Sequence, residues 1–292
     1  MMMKQFVNSG GWTNLYNRIS DSCLKAFCIT VLTIFSLVLL SIYLGMFLFA
    51  FSDIKGGLPA GFTINNWKFL FEPNLVVGTF AFPNVWTIFY NTLLIALGSM
   101  LIEVGVSLLS GYALSKGRFP GKDLLIQSTL FTRALPSITT LIASFYMLKT
   151  VGLLDTLFGT ILIKGLAEVG LSTWIIKGFF DEIPKEIDRA AEIDGTSNLK
   201  KFFAIYVPYI WPGIAAITLF AFLNGWGEYI LVSTFTYDSS KITFPIILNS
   251  LLDMNSTASV NYGFIMTLAT FYMIPAMLLY LFSQKYISKM KI

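Results

Sequence analysis

The sequence predicts an all-α integral membrane protein, and three observations carry that prediction. Charged residues make up 12% of the 292, against 55% hydrophobic, whereas a soluble domain carries about a quarter charged residues. The apolar residues gather in six runs, at about 26–51, 85–114, 124–148, 157–180, 213–235 and 262–282. Each run reaches or exceeds the ~20 residues a helix needs to cross ~30 Å of hydrocarbon. No run shows the period-two alternation over about ten residues that marks a barrel strand.

The first run follows Lys4, Arg18 and Lys25 and superficially resembles a signal peptide. It is too long for a signal core and long enough to span, so an uncleaved first helix is expected. Cys23 and Cys28, the only two cysteines, open this run and read as small apolar residues. With no histidine in the chain, neither a zinc site nor a disulfide framework has material, and no metal ligand is assigned. Between the first two runs, "FTINNWKFLFEP" reads as a strand or a short helix. After the second run, "GRFPGKD" invites comparison with a phosphate loop. It is one residue short between its glycines and has Asp123 where Ser or Thr is needed, so it reads as a turn.

The bases set the orientation. The N-terminal arm, the turn after the second run, the long loop after the fourth and the tail hold Lys4, Arg18, Lys25, Lys116, Arg118, Lys122, Lys177, Lys185, Arg189, Lys200, Lys201, Lys285, Lys289 and Lys291. The opposite loops hold Lys55, Lys68, Lys149 and Lys241. The positive-inside rule then places both termini and the long loop in the cytoplasm, which an even number of spans requires. A single transmembrane domain, residues 1–292, is expected.

Some polar residues fall inside the runs. Lys164 and Glu168 lie at i,i+4 and can pair on one helix. Arg133, just before Pro136, has no local partner; it pairs with Glu103 or faces a pathway. If it faces a pathway, its fork favours an anionic cargo. The stretch "LNGWGEYI" interrupts the fifth run with two glycines and offers Asn224, Trp226, Glu228 and Tyr229. Sugars are bound by aromatic faces with amide and carboxylate hydrogen bonds, and irregular backbone is tolerated where it lines a cavity. These four and Arg133 are the candidate pathway residues; packing with interfacial aromatics is the alternative.

The most polar stretch is "EIPKEIDRAAEIDGTSNLKKFFAIYVP", residues 182–208. Pro184 suits a first helical turn, and Glu182 and Glu186 suit the positive helix end. Ile183, Ile187, Ala190, Ala191 and Asp194 share a face, and Gly195 stops the helix as a C′ residue. Thr196 or Ser197 caps a second helix with an apolar stripe of Leu199, Phe202, Phe203 and Tyr206, ended by Pro208. Periodicity alone leaves a docking element and a solvated surface loop equally open.

"RAAEIDGTSNLKKFFAIYVP" resembles the EAA motif of ABC-importer permeases, with Ala190, Ala191, Gly195, Ile205 and Pro208 at matching positions. "NWKFLFEP", "YNTLLIALGS", "GYALSKGRFPGKDLL", "GLLDTLFGTILI", "WIIKGFFDEIPKEI" and "YGFIMTLATFYMIP" extend the resemblance along nearly the whole chain, to the shorter, maltose-type second subunit of carbohydrate importers. The resemblance implies a type I importer fold in the bacterial cytoplasmic membrane. It makes residues 181–212 the cytoplasmic coupling loop, with Asp188, Arg189, Ala190, Ala191, Glu192, Asp194 and Gly195 as the ATPase-coupling residues. It also implies a second permease subunit, an ATPase dimer that uses ATP and Mg, and an extracytoplasmic solute-binding protein. In the family the other permease holds most of the sugar site. The chain itself then has no catalytic residue and no cofactor, and its surroundings are lipid, not nucleic acid.

Three departures stand out. Arg189 replaces the motif's glutamate while Glu192 stands where a base is frequent, an i,i+3 exchange that keeps an intrahelical pair but reverses polarity toward the ATPase. Val207 replaces the motif's leucine, and the chain ends "QKYISKMKI" without the family's glycine-rich extension. Of the competing classes, a self-sufficient secondary transporter or channel requires a coupling-ion site, typically on paired broken helices. A membrane enzyme requires a nucleophile–base or metal constellation. The sequence supplies neither.

Overall fold

The computed structural model describes residues 11–55, 58–77, 80–131, 137–254 and 262–287, and the chain divides into two compact units.

The first unit comprises residues 1–66 and 261–270. Helix α1 (Gly11–Ala50) contains the apolar span Cys23–Ala50. Its large side chains from Leu24 to Leu48 are exposed on every side, as a helix bathed in lipid or covered by a partner requires. Strands β1 (Ser52–Lys55) and β2 (Leu58–Phe62) then form an antiparallel hairpin, with Ser52 opposite Phe62 and a register shift after Asp53. The Asn66 amide donates to the Ala50 and Ser52 carbonyls at 3.3 and 3.0 Å, and Thr267 Oγ1 donates to Ala50 at 3.0 Å. The end of α1 is thus held by side chains where its own hydrogen bonds run out.

The second unit comprises residues 67–260 and 271–292. Strands β3 (Leu75–Val77) and β4 (Phe80–Phe82) make a second short hairpin. "NNWKFL", Asn65–Leu70, is a 3-10 helix, which resolves the strand-or-helix expectation. The central element is α2 (Val85–Lys116), capped by Asn84, whose side chain accepts from Trp86 N at 2.8 Å. Around it run α3 (Lys122–Phe131), α4 (Ser137–Val151), α5 (Leu157–Ala167), α6 (Val169–Asp181), α7 (Lys185–Ile193), α8 (Asn198–Tyr209), α9 (Trp211–Trp226), α10 (Ile230–Phe235) and α11 (Phe244–Met254). Helix α12 (Tyr262–Ile287) follows.

Small residues let these helices approach α2. A Cβ on Gly225 of α9 would lie 2.5 Å from Ser99 Oγ and 2.9 Å from Ala96 Cα. Gly165 of α5 sits against Ile102 and the Ser99 carbonyl, and Gly111 of α2 against Ile176 of α6. Close backbone approach of this kind is how helices associate where lipid removes the hydrophobic driving force. The α2–α6 seam adds side-chain hydrogen bonds: Ser172 donates to the buried Glu103 at 2.5 Å, and Ser110 bonds Thr173 at 2.7 Å.

Several runs depart from straight spans. Three helical segments are long and apolar enough to cross a membrane: Cys23–Ala50, Val85–Lys116 and Tyr262–Gln284. The pairs α5–α6, bent by 46°, and α8–α9, bent by 78°, raise the number to as many as five among the described residues. The run at 157–180 is therefore two helices meeting at Glu168. The run at 124–148 is α3 and α4, with 132–136 outside the described residues. The run at 213–235 stops at Trp226 and resumes at Ile230, an interruption that "LNGWGEYI" had marked. Helix α11 lies in a stretch expected to be a loop; its buried Phe244, Ile247 and Leu251 recur at helical spacing.

On the loop side, Asp155 and Lys241 fasten 236–243 to the α4–α5 turn. Asp155, at φ +59°, accepts from the Tyr237 and Asp238 amides at 2.9 and 3.2 Å, and Lys241 meets its carboxylate at 3.1 Å. These contacts hold its carboxyl below the ordinary range, the two backbone hydrogen bonds foremost. The Asn91 amide of α2 donates to the Ser240 and Ile242 carbonyls at 2.7 and 3.1 Å.

Candidate functional site

The charged segment folds as two short helices joined at Gly195. Helix α7 ends with Gly195 at φ +62°, and Thr196 N donates to the Ala191 carbonyl at 3.0 Å. That is the six-to-one bond of a Schellman ending, with glycine at C′ as the sequence predicts. Ser197, rather than Thr196, caps α8: its hydroxyl accepts from Lys200 N at 3.4 Å. The turn Phe202–Tyr206 of α8 is π-helical, and the bend to α9 follows at Ile210, two residues after Pro208.

One side of this element is locked inward. Ile183, Ala191, Phe202, Tyr206, Ile210 and Ile214 are buried, the last four recurring every fourth residue as a widened turn allows. The Tyr112 ring of α2 lies 5.7, 5.1 and 5.7 Å from the rings of Phe180, Phe202 and Tyr206. Asp188 ties the electrostatics to this aromatic cluster. Lys116, at the end of α2, meets its carboxylate at 3.0 Å, the Tyr206 hydroxyl donates to it, and Lys201 Nζ donates to its backbone carbonyl at 3.4 Å. Lys116 also lies over the Tyr206 ring, 5.4 Å from its centre. Three elements, α2, α7 and α8, thus converge on one carboxylate.

The other side faces outward. Arg189, Ala190, Asp194, Gly195 and Lys200 are exposed, with Ile193 at 85%, Leu199 at 72% and Phe203 at 63%. Two expectations are corrected here. Ala190 and Ala191 do not share a face: the buried line is Ile183, Ile187 and Ala191, and Ala190 falls on its flank. The α8 stripe is also split, since Leu199 and Phe203 point away from Phe202 and Tyr206. Glu192 lies in α7, but its side chain is outside the described set, so the Arg189/Glu192 exchange has only its exposed arginine on view.

Burial pulls the Asp188 carboxyl upward, but hydrogen bonds from Tyr206 and Lys116 and the charges of Lys116 and Lys201 outweigh it, leaving the group below its ordinary range. A carboxyl lowered on folding contributes fully above its unfolded value, about 3.9, and the contribution is lost as pH falls through the folded value. The clamp is therefore expected to hold from neutral pH to about 5 and to release only below ~3.9. A nitroxide at Ile193→Cys, with Cys23 and Cys28 replaced by serine, should gain mobility in that acid window. Asp188→Asn should show high mobility at every pH; an unchanged spectrum in that variant would contradict the clamp.

The candidate pathway residues separate. Trp226 is 3% exposed and stacked between Phe222 and Tyr272, at 5.6 and 5.4 Å. Its indole donates to the Tyr272 carbonyl at 3.1 Å, and the Tyr272 hydroxyl donates back to the Trp226 carbonyl at 3.0 Å. Glu228 meets Lys164 at 2.6 Å. Lys164, expected to pair with Glu168 on its own helix, meets Glu228 instead, and the helix bends by 46° at Glu168. Asn224 and Tyr229 are exposed, and the Asn249 amide donates to the Tyr229 hydroxyl at 2.9 Å. Arg133 lies outside the described residues. "GRFPGKD" is a turn with Gly121 at φ +82°, in which Lys122 Nζ donates to the Ser115 and Gly117 carbonyls at 3.0 and 3.4 Å.

The chain is similar to known proteins. The maltodextrin transport system permease protein MdxG of Bacillus subtilis is 30% identical over 190 residues, 65% of this chain and 65% of that protein, just under two thirds of its length. The inner membrane ABC transporter permease protein YcjP of Escherichia coli is 28% identical over 230 residues, 79% of each chain. In fold, the chain matches a crystal structure of a bacterial ABC transporter involved in the import of the acidic polysaccharide alginate. The TM-score is 0.74 at 22% identity, covering 91% of this chain and 97% of that one. The family model described as "binding-protein-dependent transport system inner membrane component" matches residues 106–291, a stretch that includes α3 to α12 and the whole two-faced loop. This chain is a multi-pass inner membrane protein and belongs to that family.

Proposed function

We propose that the chain is a membrane-spanning permease subunit of an ATP-driven, binding-protein-dependent sugar importer. The two-faced loop carries this reading. Its inner side is fixed to α2, α6 and α9 by the aromatic cluster and by Asp188, and its outer side offers Ile193, Leu199 and Phe203 among exposed charges. Exposed large apolar side chains interspersed with charges are what a protein-docking surface offers. In this reading a cytoplasmic ATPase seats on the outer side, and its closure displaces α7. The Lys116–Asp188 pair and the packed rings then pass the displacement to α2 and α6, because packed cores shift as units.

The rest of the assembly follows from the same reading: six spans with both termini cytoplasmic, a second permease subunit, an ATPase dimer holding ATP and Mg, and an extracytoplasmic binding protein. Saccharide cargo is supported by the names of the relatives, maltodextrin and trehalose permeases among them. Asn224 and Tyr229, both exposed, are the pathway contacts favoured in this chain. The test is purification of tagged chain from its native membrane. An ATPase and a second permease are expected to co-purify, and the reconstituted complex should hydrolyse ATP faster with the binding protein. A functional chain isolated alone, transporting without ATP, would reject the importer and favour a secondary transporter.

A further inference from the structure

The ion pair between Lys164 and Glu228 is separate from the cytoplasmic loop. It links α5 to the gap between α9 and α10, and its side chains are 15% and 9% exposed. Glu228 does two things at once. One carboxylate oxygen meets Lys164 at 2.6 Å, and the other accepts the Leu231 amide at 2.8 Å, filling the open first turn of α10. The two ends of the gap are held by different contacts. Upstream, Trp226 is fixed by its reciprocal bonds to Tyr272, and Gly225 by its approach to Ala96 and Ser99. Downstream, α10 is six residues long, with Val232 packed near Ile161 and Phe235 near Ile163 and Leu148. Glu228 thus joins α9, α10 and α5 through a single side chain.

We propose that Lys164 and Glu228 form a latch that sets the α9–α10 break, and that Lys164 is a positioning residue of the transport cycle. A charge at membrane depth is expensive when unpaired, so the pair favours the arrangement in which both groups meet. A contact made in only one of two packings biases the equilibrium between them. Because α5 continues into α6 and the cytoplasmic loop, that bias reaches the ATPase side. This inference rests on the importer reading.

The experiment uses the assembled importer in proteoliposomes with Mg-ATP as the probe and no transported solute. Hydrolysis per assembled complex is measured with and without the binding protein. Lys164→Met and Glu228→Gln, the second retaining the acceptor for Leu231, should each raise binding-protein-independent hydrolysis about fivefold or more, the low end of couplings between sites. The exchange Lys164→Glu/Glu228→Lys should bring it back toward the wild-type level. A purely structural pair would lower the yield of complex and leave hydrolysis per complex unchanged. Unchanged or reduced basal hydrolysis in Glu228→Gln overturns the latch. A wild-type complex that the binding protein does not stimulate counts instead against the importer reading.

Discussion

Gly225→Val is expected to cost the assembled protein about 2 kcal/mol or more, the range for overpacking where backbone must move. The position is more demanding than Gly98 or Gly213, where the obstacles are side chains. At Gly98 an added Cβ would meet the Ile161 side chain, and at Gly213 the Phe179 ring, both of which have rotamers to yield. At Gly225 the obstacles are Ser99 Oγ at 2.5 Å and Ala96 Cα at 2.9 Å. Ser99 can turn; the Ala96 backbone cannot, so α9 must move off α2. That movement also pulls Trp226 from its stack between Phe222 and Tyr272. A lower melting midpoint of the detergent-solubilised complex is the readout, with Gly225→Ala intermediate. Adding Ser99→Gly to Gly225→Ala should recover only part of the loss, because the contact with Ala96 remains. A Gly225→Val complex that melts like wild type would show that α2 and α9 are not in contact there.

The comparison of sequence with structure divides along the range of the interactions. Features set by a few neighbouring residues were legible. Gly195 announced its positive φ, because only glycine takes that conformation without cost. The α8 cap was narrowed to Thr196 or Ser197, and the interruption at 224–230 was marked by its glycines. The EAA-like spacing led to the family that the comparisons then showed. What stayed hidden depends on partners distant in sequence. Lys164 has an acid four residues on, and nothing local says that the helix bends at Glu168 or that the lysine meets Glu228 instead. Ala190 and Ala191 look equivalent until Ile183 and Ile187 fix which flank of α7 faces inward. The split of Leu199 and Phe203 from Phe202 and Tyr206 is set by the distant Tyr112 and Phe180 rings that bury only the latter two, which an apolar stripe alone does not reveal. Asp188 was singled out only as a motif neighbour; its role as the meeting point of Lys116, Tyr206 and Lys201 needed the fold.

The central claim is that the segment from α7 to α8 transmits ATPase closure to the spans, and Gly195 tests it with the fewest side effects. A Cβ at Gly195 would meet nothing within 4 Å, so a substitution there changes no packing. It acts only through the backbone, held at φ +62° by the bond from Thr196 to Ala191. For an ordinary L-residue that conformation costs roughly 1–2 kcal/mol, and asparagine tolerates it. Relieving the strain in Gly195→Val would turn α8 relative to α7 and change how the exposed Ile193 is presented relative to Leu199 and Phe203. The measurement is binding-protein-stimulated ATP hydrolysis together with solute uptake, per inserted complex, in Gly195→Val and Gly195→Asn. The account predicts that both activities fall together by about tenfold in the valine variant, the population shift that ~1.4 kcal/mol produces, while the asparagine variant stays near wild type. Normal uptake in Gly195→Val would contradict it.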